Sequence, residues 1–435
     1  MNAAEIQRES ERILADSILK RAAWRLIPFM SLMYVASFLD RVNISFASLT
    51  MNRDLGFSPQ VYGFASGVFF FGYFLFEVPS NLMLQRVGAR LWMCRICVSW
   101  GFLSMLTAFA REPVSFCIVR FLLGAAEAGL YPGMVLYMTY WFPSSTRARF
   151  IALFLAGVPL ANVIGSPISG LLLGVSGHGL AGWQWMILLE GIPSILCGLA
   201  TLWVLPDGPA TAKWLSADEK RIIAARLAGE PKGALHGLRE MLTDRRIWIL
   251  MIPDFAIVFP LYALNFFLPL MVHGMGYSIH ETGVIVALPY LLAMGAMVAL
   301  GWSSDRSGNR AGHVAFAAVL AALGVVGATL ASANWLVIAA LCLATSGIYA
   351  ALAVFWTLPA SLLRGTAAAA GLALLNSFSN LGGFFGPTLM GWAKQQTGTY
   401  GLGLGFIAAM LLLGSVSVIW IGRTFFSQLD TGKTN

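Results

Sequence analysis

Charge is scarce in this sequence. Only 11% of its 435 residues are Asp, Glu, Lys or Arg, whereas 58% are hydrophobic, and a soluble globular protein carries about 25% charged residues. This shortage excludes a soluble protein and predicts an all-α membrane protein that crosses the bilayer many times. The 45 glycines agree with that class, because small residues let helices pack closely in lipid.

Histidine and cysteine are also scarce, with five of each. Cys94 and Cys97 have the spacing of a redox or metal motif, but no second pair and no histidine cluster accompanies them, so we interpret them as packing residues. The scattered histidines also provide neither metal ligands nor a nucleophile–base set. We therefore expect no metal site, no cofactor and no enzyme activity.

Apolar runs long enough to span a bilayer, about 20 residues each, occur in the pattern six, polar linker, six. They cover approximately residues 25–47, 60–83, 91–110, 114–141, 148–174 and 183–205, and then 247–273, 280–303, 312–332, 335–360, 366–393 and 400–423. The predicted units are an N-terminal segment (1–24), a six-helix bundle (25–206), a linker (207–246), a second six-helix bundle (247–424) and a tail (425–435).

The net charge of +8 could indicate nucleic-acid binding, but excess Lys and Arg also orient a membrane protein. Most of the 28 basic residues lie in segments that face the cytoplasm if both termini are inside, and Arg53, Arg111 and Lys394 lie in external loops. Residues 1–23 lack the apolar core of a signal peptide and are predicted to form a short cytoplasmic amphipathic helix. We predict a bacterial inner-membrane protein with both termini cytoplasmic, a functional monomer, and no nucleic-acid partner.

The two halves carry related motifs. Gln85-Arg86-Val87-Gly88-Ala89-Arg90 follows the second run, and Asp305-Arg306-Ser307-Gly308-Asn309-Arg310 follows the eighth, 220 residues later. Gly165-Ser166-Pro167 and Gly386-Pro387 form a second repeated motif at about the same offset. Two repeated six-helix halves are typical of a transporter whose binding site lies at their interface, near the middle of the membrane.

The loop Gly301-x-x-x-Asp305-Arg306-x-Gly308-x-Arg310 resembles the signature of the major facilitator superfamily. In the first-half copy Asn81 and Gln85 replace the first Gly and the Asp. Other motifs resemble the anion:cation symporter family, and within it the bacterial tartrate, phthalate, nicotinate and hydroxyphenylacetate permeases. They are Leu39-Asp40-Arg41-Val42-Asn43, Glu77-Val78-Pro79-Ser80-Asn81, Arg120-Phe121-Leu122-Leu123-Gly124-Ala125-Ala126-Glu127, Tyr140-Trp141-Phe142-Pro143 and Leu205-Pro206-Asp207. The resemblance implies twelve transmembrane helices in two pseudo-symmetric bundles and a secondary active transporter.

Charged side chains inside the spans are concentrated in the first half. A charge at the centre of the bilayer costs roughly 2.5–3.5 kcal/mol on insertion scales and is functional by default. Arg120 and Glu127 share one helix face, about 10.5 Å apart along the axis. Asp40 and Arg41 are adjacent and point about 100° apart, so we expect each to face a partner on another helix, such as Arg120 or Glu127.

These four side chains suggest a coupling mechanism. We assign Arg41 and Arg120 to the substrate carboxylate, because a guanidinium binds carboxylate bidentately and stays charged. An acid that loses its arginine to an arriving anion takes up a proton more readily, so Asp40 and Glu127 are the expected proton carriers. The resemblance implies the same roles for these acids. The alternative is a structural ion-pair network that locks the bundle.

The second half is expected to contribute polar and aromatic substrate contacts rather than charge. The candidates are Tyr262, Asn265, Trp356, Asn376 and Asn380. Three further acids have less obvious roles: we expect Glu77 and Glu190 to contact loop arginines or helix ends, and Asp254 to pair with linker arginines.

The repeated loops are interpreted as gating motifs. The second copy contains Asp305, Arg306 and Gly308, and the Asp305 carboxylate is expected to cap a neighbouring helix N-terminus and so to hold one side closed. The first copy is represented by Arg86, Gly88 and Arg90 and lacks that acid.

The sequence as a whole predicts proton-coupled import of a small organic carboxylate by alternating access, with H⁺ as the coupling ion. The residues do not distinguish an aromatic acid from a dicarboxylate. An organic-anion exchanger or efflux carrier of the same fold is the alternative. A membrane enzyme or a signalling receptor fits less well, because neither a catalytic set nor a signalling domain is present.

Overall fold

A computed structural model describes residues 3–228, 243–362 and 366–426, and among these residues helix dominates and no strand forms. The first half contains α1 (Ala3–Asp54), α2 (Pro59–Val87), α3 (Ala89–Thr107), α4 (Pro113–Glu127), α5 (Leu130–Trp141), α6 (Ser144–Leu172) and α7 (Gly182–Val204). The linker contains α8 (Ala217–Leu227). The second half contains α9 (Arg245–His273), α10 (Ile279–Ser307), α11 (Arg310–Leu330), α12 (Asn334–Phe355), α13 (Thr357–Leu362), α14 (Thr366–Ser379), α15 (Leu381–Thr397) and α16 (Gly401–Ile421).

Interrupted helices account for the difference between the number of helices and the number of spans. α4 and α5 form one span that bends at Gly129, where φ is 88°, and α14 and α15 form one span that breaks at Asn380. In the described part of the chain, nine helical segments meet a length and hydropathy criterion for crossing a membrane. The helices fit the twelve predicted spans, in the order six, linker, six.

The repeat predicted from the loop motifs is present in the backbone. Ser58 and Ser278 cap α2 and α10 by accepting a hydrogen bond from the backbone amide three residues on, at 3.2 and 3.3 Å. Gly88 and Gly308 end the same two helices with φ of 98° and 72°, a region that favours glycine. Each pair is separated by 220 residues, the offset seen in the sequence.

Two crossings between glycines join the halves. They lie on the side of the membrane opposite the linker, which we call the far side; the other is the linker side. A Cβ added to Gly63 of α2 would lie 2.4 Å from the Pro387 carbonyl oxygen and 3.0 Å from the Gly391 Cα. A Cβ added to Gly283 of α10 would lie 3.3 Å from the Gly170 Cα. The far side is thus closed by backbones in direct contact.

The N-terminal segment is continuous with the first span. The sequence suggests a separate short helix before residue 25, but α1 runs for 52 residues from Ala3 through Pro28 to Asp54. A proline is tolerated inside a membrane helix when neighbours satisfy the freed carbonyl. Residues 1–2 lie outside the described part of the chain.

The linker is attached to the first half. Trp214 stacks on Trp141 of α5, with ring centroids 5.4 Å apart, and the guanidinium groups of Arg21 and Arg25 lie 5.9 and 5.6 Å from the Trp214 ring centroid. Glu219 of α8 forms an ion pair with Arg21. The remainder of the predicted linker (229–242) and most of the predicted tail (427–435) lie outside the described residues.

Candidate functional site: a charged cavity between the halves

A small cavity of about 70 Å³ lies between the two halves. Its wall is built by α1, α2, α5 and α6 of the first half and by α9, α12 and α14 of the second. Five of the candidates named from the sequence line it: Arg41, Tyr262, Trp356, Asn376 and Asn380. The structure thus brings residues from both halves into one site, as expected for a transporter.

Arg41 is the cationic centre of this cavity and connects the two halves. Its guanidinium forms an ion pair with Glu127 of α4, and its Nη1 donates a hydrogen bond to the Tyr262 hydroxyl of α9, at 2.9 Å. Only 6% of Arg41 is exposed. Glu127 is therefore the partner on another helix that is expected for Arg41.

Aromatic rings surround the Arg41 guanidinium. Its Cζ lies 4.7 Å from the ring centroid of Phe38, 5.3 Å from those of Phe69 and Tyr73, and 5.9 Å from that of Phe70. Rings within about 6 Å attract a cation through their quadrupole. The arrangement keeps the cation charged in a dry site while leaving its hydrogen-bonding edge for anions.

Arg120 is buried without a comparable partner. It is 1% exposed and lies 5.1 Å from the Phe69 ring centroid, so Phe69 is within cation–π distance of both arginines. Its Nε and Nη2 atoms have no hydrogen-bond acceptor among the described residues. Arg120 shares a helix face with Glu127 but forms no ion pair with it there. Burying N–H groups without an acceptor is costly.

Asp40 faces away from both arginines. Trp100 Nε1 and Ser104 Oγ of α3 donate hydrogen bonds to its carboxylate at 2.7 and 3.1 Å, and Ser194 of α7 donates a third. The expectation that Asp40 faces Arg120 or Glu127 is wrong, because adjacent positions on α1 point toward different helices. The acid instead lies in a pocket of neutral donors and is 1% exposed.

Asn265 belongs to a polar network of the second half. The Tyr290 hydroxyl donates to its Oδ1 at 2.8 Å, and its Nδ2 donates to the Tyr349 hydroxyl at 3.4 Å. Asn265 is not among the residues that line the cavity. Asn265 follows Tyr262 by about one turn of α9, and it therefore supports the cavity wall behind Tyr262. It does not contact the cavity in this conformation.

The three remaining membrane acids occupy different surroundings from those expected. Glu77 accepts a hydrogen bond from Asn376 Nδ2 across the halves at 2.7 Å, and Glu190 accepts one from Ser169 Oγ at 2.6 Å. Neither contacts a loop arginine in the described structure. Asp254 is fully buried and, among the described residues, forms no ion pair. Arg246 lies eight residues earlier, about 12 Å along the helix, and is exposed.

The second gating loop departs from its expected chemistry. Asp305 is exposed, and the hydrogen bonds found in the described residues include none to its carboxylate. Asn309 caps α11 instead, because its Oδ1 accepts from the Gly312 amide at 3.0 Å. Arg306 places its guanidinium 5.4 Å from the Trp302 ring centroid. The expected cap by Asp305 is wrong in this conformation.

The first loop obtains an acid from elsewhere in the chain. Asp207 accepts a hydrogen bond from the Arg90 amide at 3.0 Å and so caps the N-terminus of α3, while Arg86 is exposed. A Cβ added to Gly88 would lie 2.6 Å from Asp207 Oδ1, so the glycine makes room for this cap. Asp207 was noted in the sequence only as part of the Leu205-Pro206-Asp207 motif; its contact with the loop 117 residues earlier depends on the packing of α7 beside α3.

A larger groove, of about 990 Å³, lies elsewhere, between α2, α4, α15 and α16. Its lining is almost wholly apolar and includes Phe64, Phe121, Trp392 and Phe406. Val114 and Ile118 on its rim are 69% and 55% exposed, which places the groove on the lipid-facing surface. It carries no charged side chain, so the smaller charged cavity is the candidate site.

Metal-binding groups are not gathered anywhere in the described part of the chain: no three His, Cys, Asp or Glu side chains come together there. Cys94 and Cys97 are free thiols. The helices, the repeated halves and the cavity between them define a polytopic membrane protein with the architecture of a transporter.

Comparison with known proteins identifies the family. Residues 30–387 match the model of the Major Facilitator Superfamily. A protein of Agrobacterium vitis, named provisionally as a tartrate transporter, is 44% identical over 426 residues, which covers 97% of this chain and 95% of the relative. The quinolone resistance transporter of Acinetobacter baumannii is 36% identical over 427 residues, covering 96% of both. The chain belongs to the major facilitator superfamily and is a transporter rather than an enzyme.

A solved structure shows the same fold. The inward-facing, occupied form of a bacterial homologue of the human lysosomal transporter Spinster superposes with a TM-score of 0.75 at 17% identity, covering 92% of this chain and 97% of that protein. This likeness confirms the predicted two-bundle architecture, and the sequence relatives agree with the resemblance to anion:cation symporter-like permeases.

Proposed function

We propose that this transporter imports a small organic carboxylate together with protons across the bacterial inner membrane. The observation that carries the proposal is the pair of buried arginines. Arg41 lies at the cavity wall and is held by Glu127, whereas Arg120 lies behind Phe69 and has no acceptor for its Nε and Nη2 atoms among the described residues. An organic anion would supply a hydrogen-bond acceptor to both arginines. The other parts of the proposal are alternating access and H⁺ as the coupling ion, with no cofactor.

Binding and protonation are coupled through the ion pair. The guanidinium fork of Arg41 accommodates one carboxylate bidentately, so a substrate carboxylate competes with Glu127 for it. A displaced, buried Glu127 is stabilised by taking up a proton, because an unpaired charge in this environment is costly. Anion and proton then favour each other's binding, which is symport coupling in thermodynamic form.

Asp40 is the second proposed proton carrier. Trp100 can only donate, so the Asp40 Oδ2 that it contacts remains an acceptor in either protonation state. A serine hydroxyl can donate or accept. A proton on Asp40 therefore belongs on Oδ1, where Ser104 can rotate to accept it, and the pocket tolerates both states without rearranging the helices.

The second half shapes the rest of the substrate. Tyr262 and Trp356 provide ring surfaces, and Asn376 and Asn380 provide amides that can hydrogen-bond a second polar group. The name of the Agrobacterium vitis relative favours a hydroxylated dicarboxylate, and the aromatic lining leaves an aromatic acid as the other class.

Proton uptake on ligand addition tests the proposal. Purified protein in weakly buffered detergent with a pH indicator receives tartrate, phthalate, nicotinate or benzoate. One ligand is expected to make the solution alkaline, Glu127→Gln to abolish this signal, and the exposed-loop variant Arg111→Gln to retain it. Saturable binding without proton uptake in the unaltered protein would contradict symport.

Export is the alternative, because a relative of similar length is named a quinolone resistance transporter. The same fold and cavity serve either direction. Membrane vesicles of known orientation distinguish import from export. In right-side-out vesicles, an imposed inward proton gradient should drive accumulation of the substrate by an importer. The same gradient should drive extrusion of the substrate by a proton antiporter, and inside-out vesicles provide the complementary measurement.

A further inference from the structure

Asp254 is the buried ionisable group that the proposed coupling does not use. It is 0% exposed, and neither carboxylate oxygen has a hydrogen-bond partner in the described structure. Val258 and Leu261 line the cavity and follow Asp254 by one and two helical turns on the same face of α9. Asp254 therefore lies just beneath the cavity, on the linker side.

Glu77 occupies the corresponding place in the first half. Tyr73 lines the cavity, and Glu77 follows it by one turn of α2, toward the linker side. Glu77 is 1% exposed. Asn376 of α14 donates to its Oε1, and its Oε2 has no hydrogen-bond partner within the described part of the chain, although Ser377 and Asn380 are close by. Asn376 also lines the cavity. We call Glu77, Asp254 and Asn376 the floor of the cavity.

Polar neighbours of Asp254 do not neutralise it. Ser379 of α14 is close by, but its hydroxyl donates to the Asn376 carbonyl oxygen at 3.0 Å. Tyr131 of α5 is within electrostatic range of both floor acids and is neutral as a phenol. On α1, Arg41 lies within electrostatic range of the other floor acid, Glu77, and is paired with Glu127.

Among the described residues, the other helices packed against α9 supply no counter-charge at this level. α16 has no ionisable residue, and α15 has only Lys394, at the far side. Tyr349 of α12 and Tyr290 of α10 are engaged with Asn265. On α9 itself, Tyr262 is bonded to Arg41, and the first-turn arginines are exposed.

An ionised Asp254, buried with neither a cation nor a hydrogen-bond donor beside it, would be very costly, so Asp254 is held neutral by a proton. The same acid ionises readily once water reaches it. The far side is closed by the two glycine crossings, so water and protons reach the floor from the linker side when the halves separate there.

We propose that Asp254 and Glu77, one from each half, form a proton-binding site at the floor of the cavity that keeps the floor closed. Protonation permits the dry contact between the halves, and release of the protons to the linker side stabilises the hydrated, open floor, because an ionised carboxylate needs water or a counter-charge around it. The floor thus responds to the pH of the linker side. This gate is separate from the proton uptake proposed at Glu127 and carries no net proton flux of its own.

Infrared spectroscopy tests the protonation directly. In the full-length protein in lipid nanodiscs at neutral pH, Asp254→Asn should remove a carbonyl stretching band of a protonated carboxylic acid. Asp305→Asn, which alters an exposed acid, should leave that band in place, and Asp254→Glu should shift it. Loss of no band in Asp254→Asn, with a folded protein by size-exclusion chromatography, would overturn the proposal.

Distance measurements test the gate. Spin labels at Val87→Cys and Ser307→Cys report the separation of α2 and α10 on the linker side, in a protein whose half-buried native cysteines are replaced. Without substrate, the distance between the two spin labels should lengthen over the pH range in which the infrared band disappears. Asp254→Asn and Glu77→Gln should each weaken that response, and the double variant should remain at the short distance at every pH. An unchanged pH response in the double variant would refute the gate.

Neither measurement requires a substrate or transport. If no carboxylate is taken up, the floor can still be protonated and pH-sensitive; if the floor proves insensitive to pH, ligand-driven proton uptake at Glu127 is unaffected.

Discussion

The two halves share one architecture but treat charge in opposite ways. In the first half, Arg41 places a charge in the cavity wall, where it is paired with Glu127, and Arg120 lies farther back, against Phe69. In the second, the corresponding depth is occupied by neutral groups, the amide of Asn265 and the hydroxyl of Tyr290, with Asp254 kept apart below. Under the proposed function, a substrate bound between them would be held by charge on one side and by shape and neutral hydrogen bonds on the other. The repeat therefore preserves the scaffold and not the chemistry.

The strongest test of this difference breaks the ion pair. Arg41→Gln leaves a buried Glu127 without its cation, which should lower the free energy of unfolding by about 3–5 kcal/mol and abolish uptake. In the double variant Arg41→Gln/Glu127→Gln no charge remains unpaired, so stability should largely return while transport stays absent. Thermal unfolding and vesicle uptake measure the two effects. Transport by the double variant would show that the pair is only structural.

The glycine crossings test whether the two contacts between the halves contribute equally to closing the far side. The Cβ of Gly63→Ala would meet the Pro387 carbonyl oxygen at 2.4 Å, and that of Gly283→Ala the Ser166 carbonyl oxygen at 2.8 Å. Both should disfavour the far-side-closed conformation and slow transport, Gly63→Ala more strongly because its contact is tighter. Gly295→Ala, with no atom within 4 Å, is the matched control. Spin-label distances across the far side provide the measurement, and equal behaviour of all three variants would contradict the expectation.

A smaller effect separates the neutral network from the cationic site. Tyr290→Phe removes the donor to Asn265 Oδ1 and should cost about 0.6–1 kcal/mol of stability, with little change in substrate affinity. Tyr262→Phe removes the hydrogen bond from Arg41 and should weaken substrate binding more than it weakens the fold. Thermal unfolding and binding titrations of the two variants decide this, and the reverse pattern would place the substrate in the second half.

The smallest effect concerns the linker, which is attached to the first half alone. The Ser216 backbone amide, followed by the Arg21 guanidinium, lowers the pKa of the Glu219 carboxyl. The stabilisation is therefore fully present above the usual glutamate pKa of about 4.3 and is lost as the pH falls through the lowered folded value. For this solvent-accessible pair we expect less than about 1 kcal/mol, measured as the difference in acid sensitivity between the unaltered protein and Glu219→Gln. Equal sensitivity would show that the contact contributes nothing.

Much of the site could be predicted residue by residue, but its pairings could not. Charge inside an apolar run is visible in the sequence, so Arg41, Glu127 and Arg120 could be named, and a partner for Arg41 on another helix was a sound expectation. Asp40 was given the wrong surroundings, because its neighbours Trp100 and Ser194 lie on helices whose rotation about their axes the sequence does not reveal. Glu77 and Asn376 are 299 residues apart, and no local pattern connects them.

The gating loops illustrate the same limit. The 220-residue offset was evident from the motifs, and the caps at Ser58 and Ser278 repeat it. The acid that caps α3 nevertheless comes from Asp207, beyond α7, and Asp305 stands exposed. A motif identifies a turn, whereas the partner of its side chain depends on which helix end lies next to it.

The membrane class, the twelve spans, the repeat and the placement of the charges follow from local properties of the sequence, because hydropathy and turn chemistry survive in the unfolded chain. The pairing of Arg41 with Glu127 and the neutral donors around Asp40 arise only in the folded protein. So do the unpaired Nε and Nη2 atoms of Arg120 and the position of Asp254 beneath the cavity, without a partner among the described residues. These facts depend on the packing and rotation of helices far apart in the chain, and in a low-dielectric interior such contacts determine the energy of every buried charge.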